Sequence, residues 1–178
     1  MRIIAGSAKG RRLMAPPEGT RPMTGKARES VFSILGHRLV DADVLDLFAG
    51  SGGLGLESLS RGARSAVFVE RSRRAARVIR DNIEAVGLGG ELVIMDVSEA
   101  LRKLYRRFDV VFVDPPYVLP DDEVGSILAA LDRVVAPDGI VILHRRARSV
   151  LHPVDFLVCI DERRYGDAVV YLLERPPS

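Results

Sequence analysis

The chain has 178 residues, 47% hydrophobic and 28% charged, with a formal net charge of +2. That suits a single domain with a sizeable core, and no apolar run reaches the roughly 18 residues of a membrane-spanning helix. Cys159 is the only cysteine, which excludes an internal disulfide framework and a clustered-thiolate zinc site. The start, Met1-Arg2-Ile3-Ile4-Ala5-Gly6, lacks a signal-peptide core before Lys9, Arg11 and Arg12, so a soluble cytoplasmic protein is expected.

In chain order, Arg2–Ala5 and Arg11–Ala15 read as two short strands around a Gly6–Gly10 turn, a β-hairpin. Pro16, Pro17, Gly19 and Pro22 make an irregular linker. Thr24 is placed to cap a helix from about Gly25 to Arg38, with Ala27, Val31, Ile34 and Leu35 at helical spacing. Strands and helices then alternate. Val44–Phe48 predicts a buried strand and Gly53–Arg61 a helix. Ser65–Glu70 follows as a strand and Ser72–Val86 as a long helix rich in exposed arginines. Glu91–Asp96, Ser98–Tyr105, Asp109–Asp114, Asp121–Val134 and Ile140–Leu143 continue the alternation. Phe156–Ile160 and Ala168–Glu174, around Tyr165-Gly166-Asp167, predict a terminal antiparallel hairpin. The pattern implies an α/β fold, a mostly parallel sheet with helices on both faces. Residues 1–22 are expected to form a basic extension and 23–178 the main domain.

Charge is unevenly spread. Residues 1–28 carry seven basic side chains (Arg2, Lys9, Arg11, Arg12, Arg21, Lys26, Arg28) and one acid, Glu18. That segment is +6 and the remaining 150 residues are −4. A basic arm on a mildly acidic body points to a polyanionic partner. Arginine outnumbers lysine 23 to 3. Arginine suits phosphate and base contacts, but a GC-rich genome gives the same bias.

Three predicted strands end on acids, Asp46, Glu70 and Asp96, which would all face the crevice beyond the carboxyl ends of the sheet. Between the first strand and helix lies Phe48-Ala49-Gly50-Ser51-Gly52-Gly53-Leu54-Gly55. Gly50, Gly52 and Gly55 satisfy G-x-G-x-x-G, and Glu70 stands where a ribose-binding acid would stand in a dinucleotide site. Asp46 argues otherwise. A carboxylate just before the loop suits a ligand bearing ammonium and sulfonium charges and repels a pyrophosphate. Asp96, with Val97 beside it, is placed for an adenine amino group; its alternative role is to cap a helix. Glu70 with Arg71 would border the ribose. S-adenosylmethionine is therefore the expected cofactor.

Asp114-Pro115-Pro116-Tyr117 follows the fourth strand. The lone pair of an exocyclic base amine is delocalised into the ring. Two acceptors that hold both N–H groups, the Asp114 carboxylate and a carbonyl near Pro115, would aim that lone pair at a methyl donor. The prolines stiffen the loop, and Tyr117 offers a face on which a base can stack. No metal is required, and His37, His144 and His152 make no metal set.

Phe48-Ala49-Gly50-Ser51-Gly52, the acid-ended strands and Asp114-Pro115-Pro116-Tyr117 resemble the class I methyltransferases with a (D/N)PP(Y/F) motif. Arg2-Ile3-Ile4-Ala5-Gly6, Lys9-Gly10-Arg11, Arg21-Pro22 and Arg28-Glu29-Ser30-Val31-Phe32 resemble the start of the RsmD family. The resemblance runs over nearly the whole chain. It implies a Rossmann-like, seven-stranded domain that methylates N2 of one guanine in 16S rRNA, using S-adenosylmethionine and releasing S-adenosylhomocysteine. It further implies a monomer acting on an assembled or partly assembled 30S subunit. Arg11, Arg21, Thr24 and Arg28 would then face RNA or the cofactor mouth. The chain departs from the pattern at Met23, where threonine is usual, and at His144, where an acid is expected at the end of the fifth strand. Three rival functions are weaker. A DNA adenine-N6 methyltransferase needs a target-recognition segment that these short connections cannot hold. An NAD-dependent oxidoreductase leaves Asp46 unexplained. A non-catalytic RNA-binding module leaves Asp114 and the cofactor acids unexplained.

Overall fold

A computed structural model of the chain describes residues 1–15 and 23–177, so the expected linker and Arg21 lie outside the described residues. Among those described, seven strands form one sheet. They are β1 Asp43–Leu47, β2 Ser65–Val69, β3 Glu91–Val93, β4 Phe108–Val113, β5 Val135–Arg146, β6 Val158–Tyr165 and β7 Ala168–Glu174. Their spatial order is β3-β2-β1-β4-β5-β7-β6. The first five run parallel, and β7 runs antiparallel to both β5 and β6. Strand order reverses between β1 and β4, which opens a crevice over their carboxyl ends.

Period-two alternation sorts the strand side chains into two cores. Val44, Phe68, Val110, Phe112, Ile142 and Leu172 face helices α1 (Gly25–Leu35), α2 (Gly53–Ser60) and α3 (Arg73–Val86). Leu45, Leu47, Val67, Val111, Leu143 and Leu173 face α4 (Val97–Lys103) and α5 (Asp121–Ala130). Each fully buried Val or Leu contributes about 1.5–3 kcal/mol. The central strands therefore make the crevice floor stiff. α2 lies close on β2 because residue 55 is glycine: a Cβ there would fall 2.3 Å from the Phe68 ring.

Several boundaries differ from the sequence reading. α1 stops at Leu35, where Gly36 turns to φ 48° and a 3-10 turn runs to Leu39. β3 ends at Val93, so Asp96 is not a strand end; it caps α4 through the Ser98 N–H. α5 ends at Ala130 and gives way to a 3-10 turn over Leu131–Arg133. β5 is far longer than Ile140–Leu143, because β7 pairs with it from Ile140 to Arg146. β6 lies later than Phe156–Ile160. The Tyr165↔Ala168 pair closes the hairpin and sets its register.

The amino-terminal hairpin contracts to one antiparallel bridge, Arg2↔Arg12. The reason lies in α2. The Glu57 carboxylate, fully buried, accepts from the Ile4 N–H (2.7 Å), the Ala5 N–H (3.0 Å) and Arg61 Nε (2.8 Å). Those amides pair with a carboxylate rather than with a second strand. Ser60 Oγ accepts from the Ala8 N–H and donates to the Ala5 carbonyl, and Ile3, Ala8 and Leu13 enter the core. A Cβ at Gly6 would fall 1.7 Å from the Ser60 carbonyl oxygen. Residues 1–15 are thus docked on α2. The Asn82 side chain of α3 ties down their far end by pairing with both the N–H and the carbonyl of Met14.

Candidate active site

A cavity of about 460 Å³ lies over the carboxyl ends of β1, β2 and β4, within the range of small-molecule sites. Asp46, Glu70, Asp96 and Asp114 all line it, together with Phe48, Ala49, Gly50, Ser51, Arg71 and Val97. Gly52, expected among them, lies behind the loop against Phe68 and Ile79 and caps α2.

Asp46 is 1% exposed. Its Oδ2 accepts from the Gly55 N–H at 2.9 Å, while its Oδ1 is buried with no partner. Burial pushes this carboxyl well above the usual carboxylate range. The charges of Asp114 and Glu70 push the same way, against the Gly55 N–H. A cationic ligand would relieve that strain. Glu70 accepts from the Gly50 N–H (3.0 Å) and the Ser72 N–H (2.8 Å), and each oxygen keeps capacity for a ligand hydroxyl. Asp96 Oδ1 accepts from the Ser98 N–H at 2.9 Å. Its capping role and its place on the cavity wall coexist.

The glycine loop does not form a phosphate cradle. The Gly50 N–H goes to Glu70, the Gly52 N–H to the Ala49 carbonyl and the Gly55 N–H to Asp46. A pyrophosphate needs such amides free and meets carboxylates instead. These carboxylate acceptors fit a ligand with hydroxyls and positive charge, as S-adenosylmethionine has. Glu70 would hold its ribose, Asp96 and Val97 its base, and Asp46 would face its charged end.

Across the cavity stands the Asp114 carboxylate. Pro115 is buried, Tyr117 half-buried and Pro116 exposed. The Pro116 carbonyl accepts from the Leu119 N–H and from Arg145 Nη1. Asp114 Oδ1 is 2.7 Å from His144 Nδ1, and the Tyr117 hydroxyl is 3.3 Å from His144 Nε2. Carboxylate and aromatic face therefore share one rigid support beside the cofactor-type acids. Such a site can hold a planar amine.

The sequence pattern of the family described as "Conserved hypothetical protein 95", the RsmD family, matches residues 1–174. The chain belongs to this family. The RsmD-family chain is 35% identical over 175 residues to YlbH of Bacillus subtilis strain 168, covering 93% of itself and 94% of that relative. "Ribosomal RNA small subunit methyltransferase D" of Escherichia coli strain K12 is 40% identical over 121 residues. That match covers 66% of this chain and 60% of the relative. The structure of yhhF from Escherichia coli has a TM-score of 0.87 at 32% identity, covering 100% of this chain and 99% of its own. Membership of the RsmD family makes this chain a methyltransferase.

The basic residues fall in several places. Arg2, Lys9, Arg11 and Arg12 are exposed; Arg2 bonds the Gly10 carbonyl and Arg11 the Ala85 carbonyl at the end of α3. Thr24 caps α1 by accepting from the Ala27 N–H. Arg28 is 8% exposed, lines the cavity and donates to the Arg2 carbonyl at 2.6 Å. Burial lowers its pKa.

Residues outside the predicted site also shape it. Met1, Met23 and Val118 line the cavity. The Asn82 amide joins the Ser51 carbonyl of the glycine loop to Met14 of the arm. Arg145, 4% exposed, donates to the Leu119 carbonyl (2.7 Å) and to Asp121 (2.9 Å), pinning the loop after Tyr117. The Arg146 guanidinium lies over the Tyr117 ring at 5.2 Å. With β5 expected to end at Leu143, Arg145 and Arg146 lie beyond the predicted strand.

Proposed function

We propose that this protein transfers a methyl group from S-adenosylmethionine to the exocyclic N2 of one guanine in 16S rRNA of the small ribosomal subunit. The observation that carries the reading is the position of Asp114, which lines one cavity with Asp46, Glu70, Asp96 and Tyr117. When bound, the cofactor supplies an electrophilic methyl group on a sulfonium. The residues do the rest. Asp114 and the Pro115 carbonyl accept the two amine hydrogens and fix the nitrogen lone pair toward the methyl. Tyr117 stacks on the base and fixes its plane. Asp114 then takes the proton that the methylated amine loses. The buried Asp46 carboxylate favours the cationic donor over its neutral product, so binding energy falls once transfer is complete. The name of the Escherichia coli relative and the basic arm support a ribosomal RNA substrate.

The test offers radiolabelled S-adenosylmethionine with 30S subunits lacking the modification, naked 16S rRNA and unmethylated DNA in parallel. Label on guanine N2 of the 30S particle is expected. Label in DNA alone overturns the substrate, and no label anywhere overturns the activity.

A further inference from the structure

We infer that His144 is a positioning residue that holds Asp114 and Tyr117 in their working geometry; this rests on Asp114 accepting the substrate amine. β4 and β5 pair in parallel with Val113 opposite Leu143, so the next step along each strand sets Asp114 beside His144. The imidazole is 2% exposed. Its Nδ1 lies 2.7 Å from Asp114 Oδ1 and its Nε2 lies 3.3 Å from the Tyr117 hydroxyl. One imidazole tautomer satisfies both contacts: Nδ1–H donates to the carboxylate, and Nε2 accepts from the phenol.

Two consequences follow from that pairing. A carboxylate torsion is broad and roughly two-fold, so an unheld Asp114 can turn either oxygen, or an edge between them, toward the cavity. With Oδ1 engaged by His144, the carboxylate plane is set and Oδ2 is the oxygen presented to the amine. The Tyr117 ring, in turn, is tethered by its hydroxyl to the same imidazole, with ring centroids 5.7 Å apart and planes at 50°. The acceptor for the amine and the stacking face for the base are then referenced to one buried group on β5. A misplacement of about 1 Å in such a pair costs on the order of 100-fold in rate.

The experiment compares wild type with His144→Phe, His144→Asn and His144→Gln in the full chain. Asn sets its amide nitrogen near the Nδ1 position, whereas Gln sets its own near Nε2. His144→Phe is expected to lower kcat on the RNA substrate by about 100-fold while the cofactor Kd measured by calorimetry changes little. His144→Asn is expected to recover about ten-fold of that loss and His144→Gln much less, since only the former restores a donor to Asp114. Nitrogen NMR of the imidazole in the cofactor-free protein is expected to show the proton on Nδ1. Wild-type kcat in His144→Phe, equal losses in the Phe and Asn variants, or an unprotonated Nδ1 each overturn the inference. Wild type that labels no base amine overturns the underlying functional reading as well, which separates the two failures.

Discussion

Asp46 and Asp114 are two aspartates on one cavity in opposite situations. Asp46 has a buried oxygen without a partner, and Asp114 has one oxygen held by His144. Asp114→Ala is expected to lower methyl transfer by at least about 100-fold with cofactor binding retained, because it removes an acceptor for the amine and leaves the adenosine side intact. Near-normal turnover in that variant removes the proposed role. Asp46 makes a different prediction, because burial raises its folded pKa. Between the unfolded and the folded pKa the native state holds more protons than the unfolded chain. Stability is therefore lost as pH rises through that window. Asp46→Asn has no such proton to lose. In melts of the cofactor-free protein from about pH 4 to about pH 8, the midpoint of Asp46→Asn should gain on wild type as pH rises, while cofactor affinity at neutral pH drops. Parallel pH profiles of the two proteins rule this out.

α2 does two jobs. Its first turns meet Asp46 through Gly55, and its last turns hold the amino-terminal arm through Glu57 and Ser60. Glu57→Gln replaces one carboxylate oxygen by an NH₂ group that faces backbone N–H donors. A loss of about 2 kcal/mol is expected from the broken charge-assisted bonds. Amide exchange at Ile4 and Ala5 should speed up well before that of β1. Unchanged protection there means the carboxylate is not the anchor. α3 is unusual for its charge. No acid stands in its first turn, which begins Arg73-Arg74, and Arg73, Arg74, Arg77 and Arg80 are exposed without an ion pair among the described residues. Cations near a helix amino terminus oppose the helix dipole. The helix holds regardless, because Ser72 caps it and Ala76, Ile79 and Val86 are buried.

At the scale of the whole molecule, the basic arm lies against α3, since Arg11 reaches the Ala85 carbonyl at the end of that helix and Asn82 pairs with Met14. Replacing Arg2, Lys9 and Arg12 by glutamine is expected to weaken RNA binding and to flatten its salt dependence, as fewer counterions are released. Cofactor affinity should hold. An identical salt slope excludes phosphate contacts by the arm. Among the described residues no helix is long and apolar enough to cross a membrane.

Much of this architecture was legible in the chain. Strand order along the sequence, the helices between strands and the acids at Asp46 and Glu70 follow from periodicity and turn chemistry, which act over a few residues. The terminal hairpin is legible for the same reason, although β6 begins later than its local pattern predicts because register, not propensity, sets it. Asp114 and Tyr117 were marked by their place after β4. What the sequence by itself determined is the identity and order of the chemical groups. Only the tertiary structure decided which of them meet. His144 reaches Asp114 across 30 residues and Ile4 reaches Glu57 across 53, through strand register and helix docking. Those depend on the summed packing of the two cores, which no local pattern encodes.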